Sequence, residues 1–450
     1  MENAVIVLAA GQGTRMQSDL PKVLHAVGGL PLFGHALAAG ASLAPARQIL
    51  VVGHGSDAVE AAAKALDPDI NVVMQKEQLG TGHAVAQTRE ALEGFDGDVF
   101  VLFGDTPFIA PETLTQMKAA RAAGFGVVVL GFEAADPGRY GRLVMEGDSL
   151  ARIVEFKDAR PEERAITLCN SGVLCAAADT LFTMIDALSN DNAAGEYYLT
   201  DVVALARARG LSATAVTCAE AETLGVNSRA DLAAAEAVFQ AKARRAALEA
   251  GVTLTAPETV FFSHDTVLGR DVTVEPNVVF GPGVSVETGT QIRAFSHLEG
   301  AHVGSGAIVG PYARLRPGAE LDGAARVGNF VEIKNAQIGA GAKVNHLSYI
   351  GDASIGEAAN IGAGTVTCNY NGVQKFRTEI GARAFIGSDT MLVAPVKVGD
   401  DAMTGSGSVI TKDVPDAALA LGRAQQETKP EMATRLRASY LLAKENSKKG

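Results

Sequence analysis

The sequence predicts two folds in one chain: an α/β domain with a Rossmann-like, mostly parallel sheet, joined by a long helix to a parallel β-helix. Three observations lead to this prediction. Up to about residue 227, short apolar runs alternate with amphipathic stretches. Residues 228–250 form one Ala-rich stretch. From 251 to about 423, an aliphatic residue recurs at every sixth position.

The bulk composition excludes several classes of protein. The 450 residues are 47% hydrophobic, which suits two or three domains with sizeable cores. A net charge of −12 argues against nucleic acid or an anionic membrane as the main partner. No apolar run approaches the ~20 residues that cross a bilayer, and we expect no signal peptide. The four cysteines form no C-x-x-C pair, so we expect reduced thiols and a cytoplasmic location.

The first 227 residues read as strands alternating with helices, a pattern typical of a mostly parallel sheet with helices on both faces. The apolar runs at 5–8, 49–52, 72–74, 99–103 and 127–130 are the predicted strands, and 111–123 is a predicted helix.

Residues 228–250 are predicted to form one long helix that connects the two domains. Ser228 and Asp231 resemble a capping box at its start, and Gly251 is placed to end it. One face carries apolar residues at helical spacing, namely Leu232, Ala235, Phe239, Ala243 and Ala246.

The six-residue period that follows fits neither an α-helix nor an alternating strand. It fits a parallel β-helix in which each hexapeptide forms one flat face and the aliphatic residue points inward. On the order of seven or eight coils are expected. The series comprises Leu268, Val274, Phe280, Val286, Ile292 and Leu298; Val303, Val309, Leu315, Leu321, Val327 and Ile333; Ile338, Val344 and Ile350; Ile355 and Ile361; and Ile380, Ile386, Leu392 and Val398.

Two segments depart from this period. Residues 367–378 (TCNYNGVQKFRT) are too long for a corner and are predicted to be an inserted loop, a common place for function in a solenoid. Residues 424–450 are polar with several Lys and Arg, and we expect partial disorder there.

The stretch LAAGQGTRM, residues 8–16, is a glycine loop directly after the first predicted strand. It lacks the GK[ST] of a P-loop and the third glycine of a Rossmann fingerprint. The second predicted strand also ends in Gly53 instead of the acid that would hold a ribose. The remaining interpretation is a nucleotidyltransferase. Gly11 and Gly13 would admit phosphates close to the backbone, while Arg15 and Lys22, the latter following Pro21, would supply positive charge.

Further motifs extend this interpretation to a resemblance that covers nearly the whole chain. They are LGTGHA at 79–84, LFGDTP at 102–107, YGR at 140–142, VEFKDA at 154–159, CNSG at 169–172, GEYYLTD at 195–201 and GVNSR at 225–229. Together with the hexapeptides they resemble the bifunctional bacterial N-acetylglucosamine-1-phosphate uridylyltransferase / glucosamine-1-phosphate acetyltransferases. The resemblance implies a left-handed β-helix and three regions: 1–227 for uridylyl transfer, 228–250 as linker and 251–450 for acetyl transfer.

For uridylyl transfer from UTP, the resemblance implies Mg²⁺ held by Asp105 and Asn227. It assigns the uridine end to Leu8, Ala9, Ala10, Gly11, Gln75, Gly80 and Thr81. It assigns the sugar nucleotide to Gly104, Gly141, Glu155 and Asn170, with Asn227 shared. Phe103 stands where many relatives have Tyr, so any hydroxyl contact there is lost. Cys169 and Ser171 alter the surroundings of Asn170.

For acetyl transfer, a general base that works near neutral pH is needed, and histidine suits that role. Among the histidines of the predicted β-helix, His346 is the candidate, because the resemblance places the acceptor sugar phosphate at Arg316, Lys334, Tyr349 and Asn360. It places acetyl-CoA along Ala363, Asn369, Tyr370, Ser388, Ser406 and Arg423. Ser406 often corresponds to Ala in relatives, which leaves a backbone contact. The flat faces suit a homotrimer.

Two alternatives remain open at this level. In the first, the β-helix of a nucleotidyltransferase only regulates or oligomerises the enzyme. In the second, the chain is a non-enzymatic solenoid, which leaves residues 1–227 unexplained.

Overall fold

A computed structural model describes residues 2–448, which divide into two compact units. Within the described residues, the first comprises 2–245 with Phe262–His264, and the second comprises Ala246–Phe261 with 265–448. Residues 1, 449 and 450 lie outside the described part, and with them the last two positions of the predicted tail. Within 2–448, no helix is both long enough and apolar enough to cross a membrane.

The first unit is built on a nine-stranded, mostly parallel sheet, as predicted. Its main path runs through Ala213–Cys218, Val127–Glu133, Leu168–Ala177, Gly97–Phe103, Glu2–Ala9, Arg47–Val52 and Asn71–Met74. Only Leu168–Ala177 runs antiparallel to its neighbours on this path. The hairpin of Arg142–Glu146 and Ser149–Val154 attaches to that strand through Arg142 and Cys169, and a separate two-stranded ribbon joins Ala26–Val27 to Leu30–Pro31.

Helices cover the sheet because its central strands are apolar on both faces. The strand Glu2–Ala9 buries every residue after Glu2, so two distinct apolar clusters form on opposite faces of the sheet. The α-helices of this unit are Leu32–Ala41, Ser56–Leu66, Thr81–Ala86, Pro111–Ala122, Pro161–Arg164, Ala178–Ile185 and Val202–Ala208. The five predicted strands and the predicted helix at 111–123 are therefore confirmed.

The long helix spans Arg229–Glu249. The N–H of Asp231 donates to Ser228 Oγ at 3.2 Å, and the Asp231 carboxylate accepts the N–H of Ser228 at 2.9 Å, which is the predicted capping box. Gly251 ends the helix with a φ of +89°, a conformation that glycine adopts without strain. The predicted apolar face is buried only at Ala235, while Ala246 is exposed.

The second unit is a parallel β-helix of hexapeptide repeats, as predicted. Its inward positions are buried from Val274 to Val398, and Leu268, in an early coil, is half-buried. Two longer strands, Glu332–Ile338 and Tyr349–Ile355, continue around a corner and join two of the three faces. One face carries ten strands, more than the predicted seven or eight coils. Three of the ten strands lie outside the aliphatic six-residue series: Thr253–Leu254, Met403–Thr404 and Leu419–Ala420.

The strands of the β-helix are two to seven residues long. They are Thr253–Leu254, Val267–Leu268, Thr273–Val274, Val279–Phe280, Ser285–Val286, Gln291–Ile292, His297–Leu298, Ala301–Val303, Ile308–Val309, Arg314–Leu315, Ala319–Leu321, Arg326–Asn329, Glu332–Ile338, Lys343–His346, Tyr349–Ile355, Asn360–Ile361, Val366–Cys368, Thr378–Ile380, Phe385–Ile386, Met391–Val393, Val396–Val398, Met403–Thr404, Val409–Ile410 and Leu419–Ala420.

The tail differs from the prediction. Met432–Asn446 forms a helix, and all of its side chains are exposed. The expectation of disorder rested on polarity, but Ala, Leu, Arg and Lys are also strong helix formers, so local propensity favours a helix here.

Candidate active sites

A cavity of about 270 Å³ opens at the carboxyl ends of the central strands of the first unit. Ligands of open α/β sheets bind at this edge. Ten of the residues predicted for nucleotide binding line it: Leu8, Ala9, Ala10, Gly11, Lys22, Gln75, Gly80, Thr81, Phe103 and Asp105. Gln78 and Glu196 also line it and were not predicted; Gln78 Nε2 donates to the carbonyl of Ala10 at 2.8 Å.

The two glycines of the loop after the first strand have different roles. Gly13 has a φ of +63°, and an ideal Cβ on it would lie 2.4 Å from Lys22 Cβ, so no larger residue fits without displacing Lys22. Gly11 has no left-handed φ, and a Cβ there would meet no atom within 4 Å. A side chain at Gly11 would therefore have open space, whereas one at Gly13 would displace the Lys22 side chain.

Lys22 joins the two predicted metal ligands. Its Nζ lies 2.5 Å from Asp105 Oδ2 and 3.1 Å from Asn227 Oδ1. Asn227 is brought there because Val226 N–H donates to the Asp105 carbonyl at 2.9 Å, and because the Asp231 carboxylate accepts the Asn227 N–H at 3.0 Å. A carboxylate and an amide oxygen thus converge on one positively charged group.

This donor set fits Mg²⁺, which prefers oxygen ligands. Within residues 2–448, no group of three or more His, Cys, Asp or Glu side chains is placed to hold a metal. Asp105 and Asn227 would therefore supply only part of the coordination shell, and phosphate oxygens and water would supply the rest. Mg²⁺ commonly binds in this way at nucleotide sites.

The predicted uridine end is held by local hydrogen bonds. Gln75 Nε2 donates to the Gly80 carbonyl at 3.1 Å. Gly80 has a φ of +105°, and an ideal Cβ on it would lie 2.7 Å from the Tyr197 carbonyl oxygen. Thr81 begins the short helix Thr81–Ala86, and its Oγ1 accepts the N–H of Leu199 at 3.1 Å.

The predicted sugar end is also brought together. Asn170 N–H donates to the Gly141 carbonyl at 2.8 Å, and an ideal Cβ on Gly141 would lie 3.4 Å from Glu155 Oε1. Burial raises the pKa of Glu155, although a hydrogen bond from Thr200 acts in the opposite direction. Gly104 N–H donates to the Leu8 carbonyl at 2.9 Å, which keeps the loop before Asp105 close to the first strand.

Six of the sixteen residues predicted for this site are absent from the cavity lining: Arg15, Gly104, Gly141, Glu155, Asn170 and Asn227. Arg15 lies in the 3₁₀ turn Thr14–Met16 and is exposed. Its predicted role in binding phosphate therefore stays a prediction.

In the β-helix, the predicted Arg316 and Lys334 meet the unpredicted Lys375 on one face, which we call the cation face. Arg316 donates to Glu332 Oε1 at 2.8 Å, and within residues 2–448 its buried Nε has no hydrogen-bond partner. Lys375 in the inserted loop, followed by Arg316, lowers the pKa of Lys334. Sequence analysis missed Lys375 because nothing in the loop distinguishes it from a solvated lysine; its contact with Lys334 appears only in the fold. Three neighbouring cations with an unpaired donor can bind an anion such as a sugar phosphate.

His346 lies at a corner beside this face, with Nδ1 3.0 Å from Asn329 Oδ1. An amide oxygen only accepts, so Nδ1 carries the proton and Nε2 keeps its lone pair. That is the tautomer a general base needs. Asn329 was not predicted, although it precedes His346 by 17 residues, about one coil.

Four of the six residues predicted for acetyl-CoA follow the same corner along the β-helix. In each case the residue after a predicted position donates its N–H to the carbonyl of the predicted residue one coil earlier. These hydrogen bonds run from Gly364 to His346, from Asp389 to Ala363 and from Gly407 to Ser388. Arg423 then donates to the Ser406 carbonyl at 3.0 Å. One column of residues, stacked along this corner from coil to coil, therefore comprises His346, Ala363, Ser388, Ser406 and Arg423.

The inserted loop lies beside the cation face. Asn369 is buried and donates to the Asp352 carboxylate, and Tyr370 is exposed. Burial acts to raise the pKa of Asp352, but hydrogen bonds from Asn335 and Asn369 outweigh it, so the pKa lies below its ordinary value.

Asn360 is not brought to the cation face within one chain. It pairs with Lys343 and Phe385 on the ten-stranded face, whereas Tyr349 pairs with Glu332 on the next face. The four residues predicted for the acceptor sugar are therefore divided between two faces.

Comparison with known proteins agrees with both halves. Residues 5–252 match the MobA-like NTP transferase domain, and residues 377–412 match the bacterial transferase hexapeptide (six repeats). Three relatives named "Bifunctional protein GlmU" match along almost their whole length. That of Jannaschia sp. (strain CCS1) is 66% identical, covering 99% of this chain and 98% of the relative. That of Ruegeria sp. (strain TM1040) is 65% identical, covering 100% and 99%. That of Cereibacter sphaeroides (strain ATCC 17025 / ATH 2.4.3) is 67% identical, covering 99% and 98%. The chain therefore belongs to the family of bifunctional GlmU proteins.

Proposed function

We propose that the two reactions of this enzyme are divided between the two halves of the chain, uridylyl transfer in residues 1–227 and acetyl transfer in residues 251–450. The enzyme makes UDP-N-acetylglucosamine in two steps. Glucosamine-1-phosphate is first N-acetylated by acetyl-CoA. The product then takes a uridylyl group from UTP and pyrophosphate leaves.

The contact of Lys22 with both Asp105 and Asn227 carries the proposal for the first half. Uridylyl transfer needs neutralised charge and in-line positioning more than covalent help from the protein. Lys22 supplies a cation to the cavity lining, and Gly11 leaves room for phosphate beside the first strand. Gly141, Glu155 and Asn170 would orient the acceptor sugar. Mg²⁺ bound to Asp105 and Asn227 would supply further positive charge to the phosphates.

The His346–Asn329 contact carries the proposal for the second half. The neutral amine of the sugar attacks the thioester carbonyl, and its proton passes to His346 Nε2. The carbon–sulfur bond then breaks, and His346 returns a proton to the CoA thiolate. Arg316, Lys334 and Lys375 would hold the sugar phosphate, while acetyl-CoA would lie along the column from Ala363 to Arg423.

A homotrimer of cytoplasmic enzyme is part of the proposal. The division of Asn360 and Tyr349 between two faces supports it, since a second copy can bring its own Asn360 face to a neighbour's cation face. Size-exclusion chromatography with light scattering tests this point, and an active monomer would contradict it.

One incubation tests the assignment of both reactions. Glucosamine-1-phosphate, acetyl-CoA, UTP and Mg²⁺ are supplied together, and free CoA thiol and pyrophosphate are followed in time. Both products are expected, with pyrophosphate dependent on acetyl-CoA. Pyrophosphate from pre-acetylated sugar without any thiol release would instead support a β-helix that acts only as a scaffold.

A further inference from the structure

In the cavity of the first unit, Gln75, which is assigned to the uridine end, contacts His83, which has no assigned role. Gln75 follows the strand Asn71–Met74, is only 5% exposed and lines the cavity. Its backbone N–H donates to the Val52 carbonyl at 2.8 Å, so its main chain is fixed by the neighbouring strand. The orientation of its side-chain amide then decides which polar atom a ligand meets.

Both protons of this amide are engaged. Gln75 Nε2 lies 3.1 Å from the Gly80 carbonyl oxygen and 3.1 Å from His83 Nδ1. A carbonyl oxygen only accepts, so the nitrogen end of the amide must face Gly80. The second proton points to His83 Nδ1, which accepts it in the tautomer that is protonated on Nε2. The oxygen Oε1 remains to accept a hydrogen bond from a ligand.

His83 is fixed by its position in the short helix Thr81–Ala86. Its Nε2 lies 3.1 Å from the amide nitrogen of Gln87, which is only partly buried. Gln87 Nε2 also donates to the His83 backbone carbonyl at 3.2 Å. A half-turn of the Gln87 amide gives up this hydrogen bond and presents its oxygen to the Nε2 proton, and because Gln87 is partly exposed, its nitrogen can then donate to water. The buried Gln75 amide has no such freedom, since its nitrogen is fixed by the Gly80 carbonyl. His83 therefore has a partner for each ring nitrogen in one tautomer, and this tautomer is the one that accepts from Gln75.

We propose that His83 is a positioning residue that holds Gln75 with Oε1 toward the base and thereby selects a pyrimidine that donates at N3. Uracil and thymine carry a proton on N3, whereas cytosine has a lone pair there. Cytosine N3 would therefore face an acceptor. Without His83, the amide of Gln75 keeps the Gly80 carbonyl as the partner of one proton but loses the partner of the second, so its orientation is held less firmly. This inference rests on the proposed placement of the uridine end at Gln75.

The test compares three substitutions in the full-length protein: His83→Leu, His83→Asn and His83→Gln. Asn places an oxygen near the position of Nδ1, Gln places its polar atoms farther out, and Leu has no acceptor. The measurements are KM for UTP and the inhibition constant of CTP competing with UTP. His83→Leu is expected to weaken UTP about tenfold, the scale of one lost hydrogen bond, without weakening CTP. His83→Asn should restore most of the discrimination, and His83→Gln should not. Thermal unfolding of the same samples, followed by circular dichroism, reports whether the first unit is folded.

Two results would overturn the inference: equal weakening of UTP and CTP in His83→Leu, or no difference between His83→Asn and His83→Gln. Gln75→Leu separates the inference from the proposal beneath it. If that variant discriminates UTP from CTP as the parent does, the base does not bind at Gln75 and both fail. If Gln75→Leu loses discrimination while the His83 variants keep it, only the role of His83 fails.

Discussion

Gly13→Ala adds one methyl group at the base of the proposed uridylyl-transfer site. Two effects follow from the structure. An L-residue at a φ of +63° costs ~1–2 kcal/mol, and the methyl would lie 2.4 Å from Lys22 Cβ, where carbons normally stay ~3.5–4.0 Å apart. Lys22 must then move by about 1 Å, which breaks its contacts with Asp105 and Asn227. A displacement of ~1 Å at a catalytic group can cost ~10²-fold in rate.

The assay follows pyrophosphate formation and CoA thiol release by the same preparation. Uridylyl transfer should fall by ~10²-fold while acetyl transfer is unchanged, because the two reactions use different units. Gly11→Ala is the matched control: it has neither a left-handed φ nor a steric contact, so its melting temperature should equal that of the parent, with a raised KM for UTP. Uridylyl transfer by Gly13→Ala within about threefold of the parent would refute the assigned role of Lys22.

Four further substitutions test the remaining assignments. Asp105→Asn removes the ion pair with Lys22 and should abolish pyrophosphate formation without affecting thiol release; equal loss of both activities would contradict separate sites. His346→Ala should lower thiol release by ~10²-fold or more, and a mild effect would return His346 to an ordinary surface histidine. Asn329→Leu should lower thiol release roughly tenfold through the lost tautomer, with Asn329→Asp as the control that keeps an acceptor. Glu155→Gln should raise the melting temperature at pH 7, because burial raises the pKa of Glu155 and the charged carboxylate therefore destabilises the fold above that pKa. The gain in melting temperature should vanish as the pH falls below the ordinary pKa of Glu, and an equal gain at pH 7 and below that pKa would show that burial of the carboxylate charge is not its cause. The same variant should have a raised KM for N-acetylglucosamine-1-phosphate.

The fold could be predicted because each half repeats one simple pattern. Apolar runs at the right spacing predicted the central strands, and their uniform burial leaves few other arrangements. The helix Met432–Asn446 could not be predicted in the same way. It has no buried face, so no apolar periodicity marks it, and only residue propensity favours it.

The uridylyl site could be predicted only as a set of residues. The sequence places Asp105 at the end of a strand, but Lys22 and Asn227 are far away along the chain. Their meeting depends on the backbone hydrogen bond from Val226 to Asp105 and on the Asp231 cap. Lys22 was expected to meet phosphate, and the structure adds that it contacts both predicted metal ligands. Such contacts arise from tertiary packing, which no local pattern encodes.

The acetyl site differs from the uridylyl site, because the coil length also predicts which outward-facing residues lie next to one another. Asn329, His346 and Ala363 follow one another at 17 residues, and Ser388 and Ser406 are 18 apart. The interval from Ala363 to Ser388 is 25, longer than a coil because it contains the inserted loop. All five positions nevertheless share one corner of successive coils, as their backbone hydrogen bonds show. The inward residues fix the scaffold, so the outward residues at one corner are free to vary and can carry a site. Counting coils outward from His346 therefore leads from the sequence to Asn329, without any motif to mark it.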